Sequence, residues 1–220
     1  MTLYNHTLDW LASKWYGIRA VRLWRRRRMT TEENQENVAL WLDVKSKFVL
    51  KDEIDIDNRT LLINGGISLK SYVKFDKQLR LLENLHSDPV LVIINSPGGS
   101  IYDGFAFVDR ILNSSCVVNT QAMGLIASAA LPIFLAGEKR TSGRNTTFMH
   151  HPPAYATNFE NITIHAAELS HTKSLANRIN KFIASRTNKA YSFWSSVGKN
   201  QDYYFDSEAA VEFGVLHDFI

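Results

Sequence analysis

A continuous apolar run constrains the fold of this sequence more than any other feature. Residues 89–95, "PVLVIIN", contain no charged side chain and only one polar one, Asn95. Such a run is typical of a strand that is covered on both faces of a parallel sheet. The next segment, "IYDGFAFVDRILNSS" at 101–115, has the length and apolar spacing of the crossover helix that a parallel strand requires. Together the two segments predict an α/β fold.

The rest of the chain from residue 60 repeats this alternation of short apolar runs and helical segments. Around the two segments already named, the sequence predicts a strand in "TLLINGG", a helix in "SYVKFDKQLRLLENL", a strand in "CVVNTQA", an apolar helix in "ASAALPIFLAG" and a strand in "TTFMHHP". This order is typical of a parallel sheet with right-handed crossovers. No stretch reaches the ~18 uninterrupted apolar residues that a membrane-spanning helix needs.

The positive charge of the chain is concentrated at its start. Residues 1–28 hold seven Lys and Arg residues, one acidic residue and three Trp residues, whereas the whole chain has a formal net charge of +3. The remainder is therefore mildly acidic, which argues against a nucleic-acid-binding surface on the globular part. We predict a basic, Trp- and Arg-rich extension and linker at residues 1–45 and a globular domain at residues 46–220.

The basic extension leaves several interpretations open. Its composition is typical of a targeting peptide, of a segment that lies on a membrane surface or docks on a partner, and equally of a solvated extension. We expect a cytoplasmic protein, or a protein of an organelle matrix if the extension is a transit peptide.

Two turns follow strands of the predicted sheet, where the sites of open α/β folds lie. In "INSPGGS", Gly98 and Gly99 allow positive φ and the close approach of another chain, although a plain turn has the same composition. In "GLIASAA", the strand passes into a helix whose first turn is predicted to include Ser128 and Ala129. The Ser128 hydroxyl there either caps the helix or acts as a nucleophile beside unpaired amides.

Four separated segments resemble, in sequence and in order, the proteolytic subunit of the Clp protease family. They are "INSPGGSIYDGFAFVDRIL", "GLIASAALPIFLAGEKR", "NTTFMHHPP" and "DYYFDSEAAVEFGVLHD", and the resemblance spans residues 55–220. It implies an α/β fold of the ClpP/crotonase-like type, a superhelix of repeated β-β-α units with a protruding helix-strand handle. It also implies a serine endopeptidase with a Ser-His-Asp triad.

The resemblance assigns each member of the triad to a residue of this sequence. Ser128 stands at the place of the family's nucleophile. His151 takes the place of its histidine, with His150 in the apolar position before it. Asp202 aligns without a gap on the family's acid, and Asp206 is the second candidate, at a position where the family usually has a serine.

The implied chemistry gives these residues complementary roles. His151 takes the proton of Ser128, and Asp202 orients the imidazole and stabilises the imidazolium. The backbone amides of Gly99 and Ala129 match the two family positions that hold the oxyanion, and amides need no particular side chain.

Three departures from the family pattern affect the substrate groove more than the triad. Leu125 and Ile126 are bulkier than the family's residues, and Ala130 replaces a glycine. Pro152 replaces a polar residue. The segment "AYATNFEN" at 154–161 has no glycine, whereas the family has a glycine-rich strand here that lines the groove and begins the handle.

The resemblance also implies an assembly. Family members are homo-oligomers of heptameric rings, stacked in pairs or mixed with a second subunit type, and they cut proteins or peptides that a AAA+ unfoldase feeds to them. This sequence has no G-x-x-x-x-G-K-[ST] loop, so ATP hydrolysis would belong to that partner. No cofactor or metal is expected, because adjacent strand residues such as His150 and His151 point to opposite faces.

Three other functions stay open. The chain could be a catalytically weak or inactive structural subunit of a mixed Clp ring, a processing peptidase of related fold that acts on one dedicated partner, or a crotonase-type acyl-CoA enzyme. The complete Ser-His-Asp set argues against the first and the third of these.

Overall fold

The structure, a computed structural model, describes residues 54–154, 162–197, 199 and 201–220. The extension predicted at 1–45 and its boundary with the domain lie outside the described residues. The strands are β1 (Ile54–Asp55), β2 (Thr60–Asn64), β3 (Val90–Ser96), β4 (Val118–Ala127), β5 (Arg140–Ser142), β6 (Thr147–His150), β7 (Tyr203–Phe205) and β8 (Asp218–Phe219). The helices are α1 (Leu69–Leu85), α2 (Ile101–Leu112), α3 (Ala130–Leu135), α4 (Ile162–Ser185), α5 (Tyr191–Val197) and α6 (Ser207–Glu212).

The strands form one mostly parallel sheet, which confirms the predicted α/β fold. Its main path is β1-β2-β3-β4-β5-β8, and every pair on that path except β1–β2 is parallel. Strand β4 is long enough to have two partners on one side: Thr120–Ala122 pair with β5, and Leu125–Ala127 pair with β6. Strand β7 runs antiparallel to β6. Strand β6 therefore branches from the sheet beside the end of β4.

The two faces of the central strand β3 are not equally covered, which corrects the expectation that both are buried. Val90, Val92 and Ile94 are buried, whereas Leu91 and Ile93 on the opposite face are half-buried. Helix α1 buries Phe75, Leu79 and Leu82 together with the first face. Among the described residues, no helix covers the second face as completely.

Helix α3 begins later than its apolar sequence predicts. The apolar string from residue 127 to 137 predicts a first helical turn that includes Ser128 and Ala129, but Ala127 still belongs to β4 and the helix starts at Ala130. Ser128 has φ of 56°, a left-handed conformation that no helix residue adopts. The chain therefore makes a sharp turn at Ser128 between strand and helix.

A cluster of aromatic side chains packs around strands β6 and β7. Phe148 of β6 stacks on Phe205 of β7 with ring centroids 5.4 Å apart, and Phe205 also contacts Trp194 and Phe213. Phe134 of α3 packs on the other side of Phe148. Burial of rings of this size supplies much of the local stability, so the ends of β6 and β7 are held in a defined position.

The buried side chain of Arg140 hydrogen-bonds with backbone carbonyls near the ends of two helices. Its side chain is buried, and its guanidinium donates to the carbonyl oxygens of Val215 at 2.7 Å and of Arg186 and Gly214 at 3.1 Å. These carbonyls lie at or just beyond the ends of α4 and α6, where the helix dipoles concentrate negative charge. Burial and the neighbouring Arg186 lower the pKa of Arg140 to about 10.

Helix α4 is the longest of the described elements and matches the helix of the expected handle. Most of its first half is exposed, including Ile164 and Leu169, whereas Leu175, Ile179 and Ile183 of its second half are buried in the domain. The handle's strand would fall in residues 155–161, outside the described residues. No helix in the described part of the chain is long and apolar enough to cross a membrane.

Candidate active site

Ser128 occupies a strained turn, and its hydroxyl does not cap the helix that follows. Its amide donates to the carbonyl of Met149 in β6 at 3.0 Å, which anchors the turn to the neighbouring strand. The residue that caps α3 is Ala129, and no side chain caps this helix. A non-glycine residue at positive φ is retained only where the surroundings hold it, and such strain clusters at functional sites. The alternative of a capping serine therefore has no support in the geometry.

His151 faces Ser128 across the ends of β6 and β4. Its Nε2 lies 2.7 Å from the Ser128 Oγ. Both side chains are half-buried, so they are partly shielded from water yet open to a substrate. The arrangement allows the imidazole to accept the hydroxyl proton when its other nitrogen carries the hydrogen.

Strand pairing joins the end of β6, which His151 follows, to the start of β7, which Asp202 precedes. In the antiparallel register of β6 and β7, Met149 pairs with Tyr204 and His150 with Tyr203. His151 directly follows β6 and Asp202 directly precedes β7, so both residues lie one position beyond the last pair of this register. The Asp202 side chain is exposed, and no hydrogen bond joins it to His151 among the described contacts.

Asp206, the second candidate for the acid, is used elsewhere. It is the N-cap of α6, and its carboxylate accepts a hydrogen bond from the Ala209 amide at 2.8 Å. An N-cap oxygen satisfies an amide that the helix itself leaves unpaired. Its position therefore has a structural explanation that needs no role at the imidazole.

The glycine loop after β3 lies directly against Ser128. A Cβ on Gly98 would lie 2.6 Å from the Cβ of Ser128, and a Cβ on Gly99 would lie 2.3 Å from the carbonyl oxygen of Ile67. Both glycines have positive φ, at 88° and 150°. Only glycine combines this backbone with so close an approach. Hydrogen bonds to Ile67 from both sides of Gly99 hold the loop in place.

Two backbone amides near Ser128 have no acceptor within the described chain. The Gly98 carbonyl accepts from Ile67 and the Ser100 amide donates to Ile67, which leaves the amide of Gly99 between them unused. The amide of Ala129 precedes α3 and is likewise without a partner among the described residues. Unpaired amides beside a serine hydroxyl are the donors that an oxyanion requires.

His150 is buried, a role that the sequence pattern did not predict. Its side chain is 3% exposed, and its Nε2 lies 3.1 Å from the carbonyl oxygen of Trp194. Burial lowers its pKa to about 4, so the ring is neutral at neutral pH. The only sequence signal was a polar residue in a place where the resembling family has an apolar one. Elsewhere too, the described residues contain no group of three His, Cys, Asp or Glu side chains that could hold a metal.

Comparison with known families matches residues 49–220 to the model of the Clp protease family. Similar proteins agree. ATP-dependent Clp protease proteolytic subunit 2 from Treponema pallidum is 34% identical over 173 residues, covering 75% of this chain and 83% of that protein. The protein of the same name from Borreliella burgdorferi is 32% identical over 202 residues, covering 87% and 94%.

A solved structure has the same fold. A mutant of ClpP1 from Listeria monocytogenes superposes with a TM-score of 0.68 at 35% identity, covering 75% of this chain and 92% of that one. The expected ClpP-like α/β fold is thereby confirmed.

Proposed function

Because this chain belongs to the Clp protease family, we propose that it is a ClpP-type serine endopeptidase subunit with a triad of Ser128, His151 and Asp202. The observation that carries the triad is the 2.7 Å separation of the Ser128 Oγ from the His151 Nε2. A serine hydroxyl is a weak nucleophile until a base of suitable pKa takes its proton, and imidazole is such a base near neutral pH.

In the proposed reaction, the Ser128 hydroxyl gives its proton to His151 as its oxygen forms a bond to the carbonyl carbon of the scissile peptide. The carbonyl oxygen becomes an oxyanion, which accepts hydrogen bonds from the amides of Gly99 and Ala129. The carbon–nitrogen bond then breaks, and the imidazolium returns the proton to the leaving amine. Water hydrolyses the acyl-serine by the same steps in reverse order.

Asp202 is assigned the role of orienting the imidazole. A carboxylate bonded to Nδ1–H keeps the Nε2 lone pair directed at the serine and stabilises the imidazolium. The register of β6 and β7 supports this assignment, because extending it by one position beyond His150 and Tyr203 would pair His151 with Asp202. Formation of the bond requires the exposed carboxylate to turn toward the ring.

We further propose that the chain works as part of a heptameric ring, in one or two layers, with a AAA+ unfoldase as partner. The support is the name of its relatives, ATP-dependent Clp protease proteolytic subunit, and the lack of a phosphate-binding loop in this sequence. A cytoplasmic location follows from the same proposal. The basic residues 1–28 would then be removed, dock a partner or alter access to the ring.

A second function has one observation in its favour. The exposed, unbonded Asp202 is what a structural subunit of a mixed ring would tolerate, because such a subunit has no need to orient its imidazole. The two functions differ in whether Ser128 reacts.

The deciding experiment is covalent labelling with a fluorophosphonate, read by intact mass and peptide mapping. The reagent reports an activated serine without knowledge of the substrate. Labelling confined to Ser128, and absent from Ser128→Ala and His151→Ala variants that still assemble, is expected. An assembled wild type that does not label would favour the structural subunit.

The unfoldase is tested separately. Degradation of an unfolded protein substrate by a ring whose Ser128 reacts with the reagent should require ATP and an added AAA+ partner. Degradation of one protein only, without such a partner, would favour a dedicated processing peptidase. Deletion of residues 1–28 with unchanged assembly, location and partner binding would remove a functional role of the extension.

A further inference from the structure

We infer that His150 is a positioning residue that fixes the strand end carrying His151 to helices α4 and α5 and thereby holds the His151 imidazole on Ser128. The inference rests on the proposed function, because it assigns a reacting pair to be positioned.

His150 is tied to both helices by polar contacts. Its Nε2 lies 3.1 Å from the carbonyl oxygen of Trp194 in α5, and the buried amide side chain of Asn180 in α4 is a polar neighbour of its ring. Its ring stands edge-on to the Trp194 ring at 5.6 Å. With 3% of its surface exposed, the side chain is shielded from water.

The residues that hold His150 are themselves fixed. Trp194 is fully buried, and its indole nitrogen donates to the Thr187 hydroxyl at 3.0 Å. That hydroxyl donates in turn to the Ile183 carbonyl in α4 at 2.9 Å. Asn180 is also buried. Helices α4 and α5 therefore form a rigid support for the imidazole.

His150 is the last anchored residue before His151. Strand β6 ends at His150, which pairs with Tyr203, and the following residues 152–154 have no regular structure. Pro152, directly after His151, is exposed. The orientation of the His151 side chain is therefore set mainly from the His150 side, and a shift of His150 would turn its neighbour away from Ser128.

At position 150 a histidine makes a polar contact that the apolar residue usual in the family could not make. Trp194 lies among the last four residues of α5, whose carbonyls have no partner in their own helix. A carbonyl accepts only a hydrogen, so the contact requires the tautomer that carries its proton on Nε2. The neutral ring supplies this donor, and an apolar side chain of equal size would fill the space without it.

The test compares His150→Met with His150→Gln. Methionine fills the space and has no donor, whereas glutamine has an N–H donor at similar reach. For each variant we would measure the fluorophosphonate labelling rate at Ser128 as a function of reagent concentration, at a temperature well below the unfolding midpoint.

For the methionine variant we expect the limiting labelling rate to fall at least tenfold, while the reagent concentration that gives half of this rate changes less than twofold. For the glutamine variant we expect at least a third of the wild-type limiting rate. A purely structural residue would lower the unfolding midpoint and leave the rate of the folded protein unchanged, so a folded methionine variant with the wild-type rate would overturn the inference. If the methionine variant does not fold, a folded glutamine variant that labels tenfold slower than wild type would overturn it. A wild type that does not label would instead refute the proposed function, and the inference with it.

Discussion

The carboxylate of Asp206, which lies four residues beyond Asp202 in the sequence, accepts a hydrogen bond from the Ala209 amide at 2.8 Å. The two acids are close in sequence but lie on different structural elements. Asp206 is the N-cap of α6, whereas Asp202 directly precedes β7, whose first residue Tyr203 pairs with His150. Their substitution should therefore have opposite consequences for stability and for activity.

We expect Asp202→Asn to lower the labelling rate at Ser128 by about 10³-fold or more, because an amide in place of the carboxylate favours the wrong imidazole tautomer. The free energy of unfolding should change little, since Asp202 is exposed. Asp206→Ala should instead reduce the free energy of unfolding by about 1 kcal/mol through loss of the cap and leave the labelling rate near that of wild type. Labelling kinetics and chemical denaturation check both. The reverse pattern would mean that Asp206 is the acid.

Gly98→Ala should abolish most of the reactivity of Ser128. The added methyl would lie 2.6 Å from the Ser128 Cβ and from the Ala127 carbonyl oxygen, at φ of 88°. The loop must then move, which displaces the neighbouring Gly99 amide, and one such donor is worth about 100-fold in rate. Gly66→Ala is the matched control, because its nearest neighbour would be the Gly98 carbonyl oxygen at 4.0 Å and its φ is ordinary. Equal labelling rates in the two variants would contradict the close approach of loop and nucleophile.

Local periodicity explains how much of the fold the sequence could predict. Strands β2 and β3 and helices α1 and α2 form where their apolar patterns predict them, although Leu62 of β2 is exposed and Leu91 and Ile93 of β3 are only half-buried. The late start of α3 could not be predicted, because residues 127–130 have helical composition throughout. The Ser128 amide bonds to Met149, a tertiary contact that local pattern does not contain.

The residues of the candidate site likewise fall into those that the sequence could predict and those that it could not. Ser128 and His151 follow from short motifs, and the structure brings them to 2.7 Å. The choice between Asp202 and Asp206 depends on where β7 ends and α6 begins, which only the pairing with β6 defines. The burial of His150 depends on α4 and α5, which are distant in sequence.

Arg140→Met should be strongly destabilising. It removes the donors to the buried carbonyl of Val215 and to the half-buried carbonyls of Gly214 and Arg186, and each buried unsatisfied acceptor costs about 1–3 kcal/mol. We expect a loss of about 3 kcal/mol or more in the free energy of unfolding. Lys139→Met is the control, because this neighbouring cation is exposed and should change the free energy by about 0.5 kcal/mol at most. Denaturation by urea separates them, and two similar curves would show that Arg140 contributes no such hydrogen bonds.

The stability of the protein should fall as the pH is lowered from 6.5 toward 4, and His150 should account for part of that fall. Burial lowers the pKa of His150 from its ordinary 6.5 to about 4 in the folded state, so between these values the unfolded chain binds a proton that the folded chain does not. The contribution of His150 to the free energy of unfolding therefore rises with pH between these two values and reaches its full size above 6.5. From pH 7.5 to 5 the expected loss is about 2 kcal/mol.

His150→Met removes this titration while leaving that of His217, whose pKa is also lowered by burial, in both proteins. The difference in the free energy of unfolding between wild type and variant should therefore shrink by about 2 kcal/mol from pH 7.5 to 5. Tryptophan fluorescence during chemical denaturation at a series of pH values measures it. Parallel pH profiles would mean that His150 is accessible to protons in the folded state and is not held between α4 and α5 as the structure has it.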